Sequence, residues 1–357
     1  MRKGHIFALI SSIFLAVAGG AAPGFAQQDF EVNIMTGGAS GTYIQIGRDI
    51  ATLAEATGRP VVAVESAGSL ENLQAVRKRR LTQFGIVQSD VLDFIRAFRN
   101  EDRDMRALVR NTRMAFPLYN EEVHIVVRKS AGYQSLADLS GKAVAVGLPD
   151  SGTNLTTTFL FEVAHVQPQY RLYLSAKESL DALRAGEIDA FVYVAGAPTK
   201  LLVDTSAGDD LALLAATGSE LSDYYGTSTV KAGTYPWLTA DITTYAVRAV
   251  LMTYDYDRMR NAYYAASCDA VSEISYLIYK NIESLKEVGH PKWQQVDLDA
   301  DVPGWERGQC VEDALNGNYQ PVYINTVQLA PEDCGELSNP IALQLCRMRN
   351  ERIDVRP

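Results

Sequence analysis

Four short stretches hold the residues of this sequence best suited to chemistry. The first is Met35-Thr36-Gly37-Gly38-Ala39-Ser40-Gly41-Thr42-Tyr43, and Ser66-Ala67-Gly68-Ser69-Leu70-Glu71-Asn72-Leu73 and Ile86-Val87-Gln88-Ser89-Asp90 follow it closely. The fourth is Gly147-Leu148-Pro149-Asp150-Ser151-Gly152-Thr153-Asn154-Leu155-Thr156. Each sets small, hydroxyl-bearing residues between an apolar run and an amphipathic segment, as a strand-to-helix turn does. At a helix N-terminus the first N–H groups lack partners and the helix dipole adds roughly half a positive charge. A carboxylate docked there is stabilised without any Lys or Arg. The candidate ligand-binding residues are therefore Thr36, Gly37, Gly38, Ser40 and Tyr43, with Ser66, Ser69, Gln88, Ser89 and Asp90 beside them. Ser151, Gly152, Thr153 and Asn154 would meet the ligand from the fourth turn. Helix capping alone accounts for any single turn, since Ser69, Ser89 and Thr153 are good N-caps. Four such turns at one rim favour shared ligation of a small anion.

Two tyrosines join this set by position. Tyr193 closes an apolar strand just before Gly196, and Tyr235 lies in the turn Ala232-Gly233-Thr234-Tyr235-Pro236, which could reach a cleft. The basic run Arg77-Lys78-Arg79-Arg80 falls at the far end of its helix, where cations suit the dipole, and reads as a solvated cap. The glycine turn is followed by no Gly-Lys-Ser/Thr and contains no GxGxxG, so it is not a nucleotide loop. His124, His165 and His290 stand at no HExxH spacing, and there is no GxSxG elbow. Asp90 as a lone general base is a weaker reading than Asp90 orienting a ligand amine or capping its helix. These residues point to binding without catalysis, with no cofactor and no metal.

The elements that must position these turns follow from hydrophobic period. Phe30, Val32 and Ile34 alternate as a strand; Tyr43, Ile46, Ile50 and Leu53 recur at helical spacing. Val61–Val64 and Phe84–Val87 are further strands, each followed by a helix, carrying Leu70, Leu73 and Val76, then Val91, Leu92, Ile95 and Phe98. The β-α-β-α order reads as a parallel sheet with crossover helices, and ligands collect beyond the carboxyl ends of its strands. Val123–Val127 and Val144–Val146 open a second unit of the same kind, with a strand at Leu172–Leu174, a helix from Ser179 stopped at Gly186, and a buried strand at Ala190–Val194. Tyr245–Met252 returns the chain. The plan is an α/β, two-lobed clamshell joined by two crossings, near residues 122–128 and 240–252.

The N-terminus reads as an export signal over residues 1–26, with Arg2 and Lys3, an apolar Ile6–Ala18 core and a small-residue cleavage site at Gly24-Phe25-Ala26. That core is shorter than the roughly 20 residues of a span, so no stable membrane insertion is expected. Loss of the leader lowers 33 basic residues to 31 against 43 acidic ones, a net charge of −12. Such a balance disfavours nucleic acid and anionic lipid as partners. The four cysteines, Cys268, Cys310, Cys334 and Cys346, lie in the last quarter and allow three pairings in an oxidising compartment. The short loop favours Cys334–Cys346, from which Cys268–Cys310 follows; two free buried thiols are the alternative.

In these motifs, taken in order, the chain resembles the TAXI family of solute-binding proteins, which serve tripartite ATP-independent periplasmic (TRAP) transporters. The likeness rests on Thr36-Gly37-Gly38, Gly41 and Tyr43; on Ser66, Gly68-Ser69 and Asn72-Leu73; and on Ile86-Val87-Gln88-Ser89-Asp90. Val123-His124-Ile125-Val126, Leu136-Ala137-Asp138-Leu139-Ser140-Gly141-Lys142, Ser151-Gly152-Thr153, Asp189-Ala190-Phe191 with Tyr193, and His290-Pro291 extend it over about residues 30–295. The resemblance implies a type II periplasmic-binding-protein clamshell, monomeric and periplasmic. It would close on a small carboxylate, glutamate or a related dicarboxylate such as 2-oxoglutarate, and deliver it to a membrane permease. Lobe 1 would comprise 27–121 and 246–296, lobe 2 residues 122–245, and 297–357 a C-terminal extension beyond the family pattern. That extension motivates an alternative, a ligand sensor acting with a membrane sensor kinase.

Overall fold

Alternation at Val32 and Ile34 makes strand β1 (Val32–Met35), and the change to helical period makes α1 (Thr42–Glu55). The computed structural model describes residues 30–55, 59–217 and 225–317, with Tyr319 and Leu343. The export signal and Cys334 and Cys346 lie outside them. The same step recurs as β2 (Val61–Val64), α2 (Ser69–Lys78), β3 (Thr82–Gln88) and α3 (Val91–Phe98). Next comes α4 (Arg103–Asn111), whose N-terminal amides on Asp104 and Met105 donate to the Asp102 carboxylate. It feeds β4 (Thr112–Val127). The second unit runs β5 (Ala143–Ala145), α5 (Gly152–Val163), β6 (Tyr170–Leu172), α6 (Ala176–Ala185) and β7 (Ala190–Ala195). A Ser175/Glu178 capping box starts α6 and Gly186, at φ 77°, ends it. The chain then passes α7 (Lys200–Val203), β8 (Ala212–Leu214) and β9 (Gly226–Val230) to β10 (Ile242–Tyr254). It finishes in α8 (Ala262–Lys280), α9 (Ile282–Val288), a 3-10 turn at Pro291–Gln295 and α10 (Gln309–Leu315).

The strands order as β2-β1-β3-β10-β4-β7-β5-β6, with β8 on β4 and β9 on β10. β2, β1 and β3 are mutually parallel, as are β6, β5 and β7. Between the two sets run the long antiparallel strands β4 and β10, of 16 and 13 residues. β4 pairs with β10 as far as Glu122 and with β7 from Glu122 to Val127. β10 pairs with β9 over Ile242–Ala246 and with β3 over Ala249–Met252. Each strand thus starts in one lobe and ends in the other, which makes the two crossings of an α/β clamshell.

β4 starts well before the apolar run Val123–Val127 that marks it in the sequence. Pro117, Asn120, Glu121 and Glu122 disguise its first half. Pro117 sits beside a register shift against β10, where a missing N–H is tolerated. β6 lies at Tyr170–Leu172, two residues earlier than expected.

Each lobe has its own cores. In lobe 1, Ile34, Phe84, Phe116 and Leu251 pack against α1 and α8 through Ile46, Ile50, Val271 and Ile274. The opposite face of that sheet packs on α2, α3 and α4 through Leu73, Val91, Ile95 and Leu108, with Trp305 beside them. In lobe 2, Ile125, Val144, Ala190 and Val192 pack with Leu160 and Phe161 of α5, and Phe191 packs with Leu183, Tyr235 and Trp237. Leu155 of α5 belongs to the second lobe-1 cluster, so the lobes meet.

The described part of the expected extension is built into lobe 1. Val302 and Trp305 enter its core, and Met114 forms a bridge with Arg307. α10 lies on α8, where Ser272 donates to the Cys310 carbonyl at 2.6 Å. Cys268 and Cys310 form a disulfide with Cα atoms 5.3 Å apart, closing a separation of 42 residues. Replacing both (Cys268→Ala with Cys310→Ala) is expected to lower the free energy of unfolding by roughly 2–4 kcal/mol. A denaturant melt measures this; a midpoint and slope unchanged from the parent would mean that packing alone holds α10 in place.

Candidate functional site

The three lobe-1 turns are stitched together from beneath by Asn72, on the buried face of α2. Its amide donates to the carbonyls of Thr36, at 2.5 Å, and Ile86, at 2.7 Å. Its Oδ1 lies 2.6 Å from the Ser66 hydroxyl, which in turn accepts from the Gly68 N–H. Thr36 is fully buried, its N–H and hydroxyl both donating to Val64. The Thr36 and Ser66 hydroxyls, expected as ligand donors, are therefore committed to holding the turns. Gly37 packs against the Tyr43 ring; Gly38 is exposed and Ser40 half-buried.

The helix caps also differ from expectation. Gly68, Asp90 and Ser151 are the N-caps, in place of Ser69, Ser89 and Thr153. The displaced hydroxyls reach neighbouring strands instead: Ser69 Oγ accepts from Gln88 N at 3.0 Å, and Thr153 Oγ1 from Val194 N at 3.1 Å. Ser89 uses its backbone, donating to the Arg248 carbonyl and accepting from Trp305 Nε1. Asn154 N donates to the Ser151 hydroxyl, and the Asn154 amide to the Val146 carbonyl. The first amides of α2 are not free. Leu70 N and Glu71 N donate to the carbonyl of Asp150, which lobe 2 presents at 3.0 and 3.4 Å. With the lobes together, one lobe caps a helix of the other.

This is one contact in a polar seam between the lobes. Gly152 lies so close to lobe 1 that a Cβ there would fall 2.1 Å from Gln88 Oε1 and 2.6 Å from Ser69 Oγ. Thr156 Oγ1 is 3.2 Å from Gln88 Oε1 and 3.1 Å from Asp90 Oδ2, and Tyr225 donates to the same Asp90 oxygen at 2.8 Å. Asp90 Oδ1 is buried and has no hydrogen-bond partner among the described residues. Burial pushes the Asp90 carboxyl up to about 6, against the opposing hydrogen bonds from Tyr225 and Thr156.

Toward the hinge, Tyr43 donates to Glu121 Oε2 at 2.6 Å, and burial pushes Glu121 up to about 8. Thr42 donates to the Gly196 carbonyl of lobe 2 at 2.9 Å. The Tyr193 hydroxyl faces the Gly41 turn, 3.4 Å from where a Cβ would be. Beside it Lys292 Nζ contacts both Glu122 oxygens at 2.9 and 3.0 Å, in an ion pair whose side chains are 1% and 4% exposed.

Of the expected residues, Tyr43, Ser69, Gln88, Asp90, Gly152 and Tyr193 are brought to this seam. Tyr235 is not: it is fully buried in lobe 2, 2.7 Å from His124 Nε2 and stacked on Trp237. Tyr225 reaches the seam in its place. Sequence reasoning passed over Tyr225, Thr156 and Glu121 as site residues. The visible signal was Glu121-Glu122, two adjacent acids in a strand otherwise apolar toward Val127. At the outer rim Phe98 meets Phe159 edge-on across the lobes, centroids 5.6 Å apart. There a cavity of about 300 Å³ is lined by Leu70, Phe94, Arg99, Asp150, Asn154 and Tyr173 among others.

Two α/β lobes, two strand crossings and a polar seam at the strands' carboxyl ends define the fold of a periplasmic solute-binding protein, the class that binds small ligands. The chain belongs to the NMT1-like family, whose model matches residues 34–303. Its structure is similar to that of a Bordetella bronchiseptica RB50 protein, at 17% identity over 91% of this chain and 98% of that one, with a TM-score of 0.47. It is also similar to the periplasmic aliphatic sulphonate binding protein SsuA from Escherichia coli (14% identity, 82% and 84% covered, TM-score 0.41). A third similar structure is the periplasmic binding protein BugD (10% identity, 90% and 94% covered, TM-score 0.47).

Opening of the seam is expected to depend on pH through its acids. A solvated Asp titrates near 3.9, whereas Asp90 in the shut seam is raised to about 6. The shut state binds the proton more tightly, so its advantage is complete below about pH 4 and is lost as pH rises through about 6. The difference is on the order of 2–3 kcal/mol. Glu121, raised further, extends the same trend to higher pH. Small-angle scattering of ligand-free protein should give a smaller radius of gyration at about pH 4.5 than at about pH 7.5. Asp90→Asn should flatten the part of that transition near pH 6; an unaltered curve would mean Asp90 does not govern closure.

Proposed function

We propose that this chain is the periplasmic receptor of a TRAP-type membrane permease, capturing a small carboxylate by closing its two lobes and delivering it in the shut form. The observation that carries this reading is the seam itself, with direct hydrogen bonds between lobes that are joined only through strands and their flanking segments. A ligand bridging Ser69, Gln88 and Tyr43 on one side to Gly152, Thr153, Asn154 and Tyr193 on the other would stabilise the shut state by its differential affinity. The export signal read from the sequence of residues 1–26 is consistent with a periplasmic site of action. Glutamate and 2-oxoglutarate are the first ligands to test, following the resemblance in the motifs. The receptor acts by binding, without turnover, and as a monomer.

The alternative, a sensor working with a kinase, drew on residues 297–357 as a separate extension. Residues 297–317 are packed into lobe 1, with Trp305 and α10 in its core, which favours the transport reading.

Calorimetry on protein stripped of ligand by unfolding and refolding should give saturable binding of at least one of these acids. Gly152→Val, which drives a side chain into Gln88, should weaken that binding by about tenfold or more while leaving the thermal melt unchanged. Failure of a broad panel of small carboxylates to bind folded protein would sink the carboxylate assignment.

A further inference from the structure

Resting on the receptor reading above, we infer that the solute carries a primary ammonium group and that Asp90 is the residue that receives it. Asp90 caps α3 at the carboxyl end of β3, and its carboxylate points across the seam, where Thr156 and Tyr225 of lobe 2 both serve Oδ2. Oδ1 of the same carboxylate is buried with no hydrogen-bond partner among the described residues. A carboxylate has about four lone-pair sites, and a buried one left short of donors is destabilising. The shut seam is thus short of a donor at one defined atom.

The charge balance favours a cationic donor. Glu121 is a further acid at the seam, buried, and its side chain accepts from the Tyr43 hydroxyl. Two cations of this region are committed elsewhere, and a third, Arg99, is exposed. Lys292 is held by Glu122, the Asn120 carbonyl and Gln295. Arg248 donates to the Leu118 carbonyl. Arg99 lines the outer cavity. Among the described residues, no Lys or Arg forms an ion pair with Asp90 or Glu121. At pH 7.5 Glu121, raised to about 8, is mostly protonated, and a purely anionic ligand would enter beside the ionised Asp90 carboxylate. An ammonium supplies up to three donors and the missing positive charge, and a site with an unpaired buried acceptor discriminates strongly against the analogue that lacks the donor. The ligand's carboxylate is then held by the remaining seam donors, and the class is an amino acid in place of a keto acid or a simple dicarboxylate.

The test is calorimetry at about pH 7.5 on refolded wild-type protein, with 2-amino acids each paired with the acid lacking the amino group, glutamate with glutarate among them, and with putrescine as an amine without a carboxylate. At least one amino acid is expected to bind about tenfold or more tighter than its deaminated partner. Asp90→Asn should abolish that preference, with the deaminated acid binding at least as tightly as it does to the wild type. Tyr225→Phe, which removes a donor to Oδ2 and leaves Asp90 in place, should keep the preference. Equal affinity for the paired acids in the wild type, or a preference that survives in Asp90→Asn, overturns the assignment while the receptor reading stands. If no acid of either kind binds but putrescine does, and Asp90→Asn abolishes it, the carboxylate reading falls and the ammonium site stands. If neither acids nor putrescine bind, the ammonium site falls with it. The wild-type comparison needs no variant to fold.

Discussion

Glu122 is a carboxylate placed where water does not reach, on the strand that carries the chain from one lobe into the other. At this residue β4 changes partner, from β10 to β7. Lys292, from the 3-10 turn after α9, meets both of its oxygens, and each oxygen has a further donor: Ser228 of β9 for one and the Ala197 N–H after β7 for the other. Burying an ion pair costs desolvation that Coulomb attraction offsets only when the remaining lone pairs are satisfied, and here they are. Gly196 shows how closely these parts approach, since a Cβ there would fall 2.8 Å from the Tyr119 ring and 2.9 Å from Lys292 Cε. One carboxylate thereby fixes four segments from both lobes at the point where the molecule must bend. The pair adds location more than stability, because a buried ion pair is weak grounds for net stabilisation.

Beside this point the carboxyl ends of two parallel strand sets face each other. What they present is a set of hydrogen-bonding groups that largely satisfy one another. Leu70 and Glu71 amides find the Asp150 carbonyl, Thr42 finds the Gly196 carbonyl, and Thr156 lies between Gln88 and Asp90. Asn72 matters here without touching the other lobe. By joining Thr36, Ser66 and Ile86 it makes three separate turns move as one surface. A donor set held this rigidly costs little reorganisation when it meets a ligand.

The parallel βα units were legible in the sequence because period and turn chemistry agree there: apolar alternation, then glycines and hydroxyls, then helical spacing. So was the place where the turns converge. The first half of β4 was not, since Pro117 and the Asn120-Glu121-Glu122 run look like a break in a strand until one sees the register shift and the buried partners that accommodate them. The hydroxyls were recognised and their partners misjudged. Ser69 is sited one residue past its cap and Thr153 two, and each residue along a helix turns a side chain by about 100°. That rotation carries each from its own helix to the end of a neighbouring strand. Tyr235 and Tyr225 exchange roles for a long-range reason, the pairing of Tyr235 with His124, which no local pattern announces.

The anion cup read from the turns and the acidic seam found in the fold are two halves of one arrangement. Backbone amides and hydroxyls can hold a carboxylate, yet many of them are already paired when the lobes are shut. Asp90 and Glu121 remain as acids at the seam, and among the described residues none donates a hydrogen bond to Asp90 Oδ1. A seam satisfied in full would shut whether or not a solute were present, and its closure would carry no information about the ligand. A seam short of a donor shuts fully only when a proton or a solute supplies one. A ligand shifts an open–shut equilibrium only by its difference in affinity between the two states. An acid short of a donor in the shut state supplies such a difference wherever opening returns it to water, because only the shut state then gains from a donor that the solute brings.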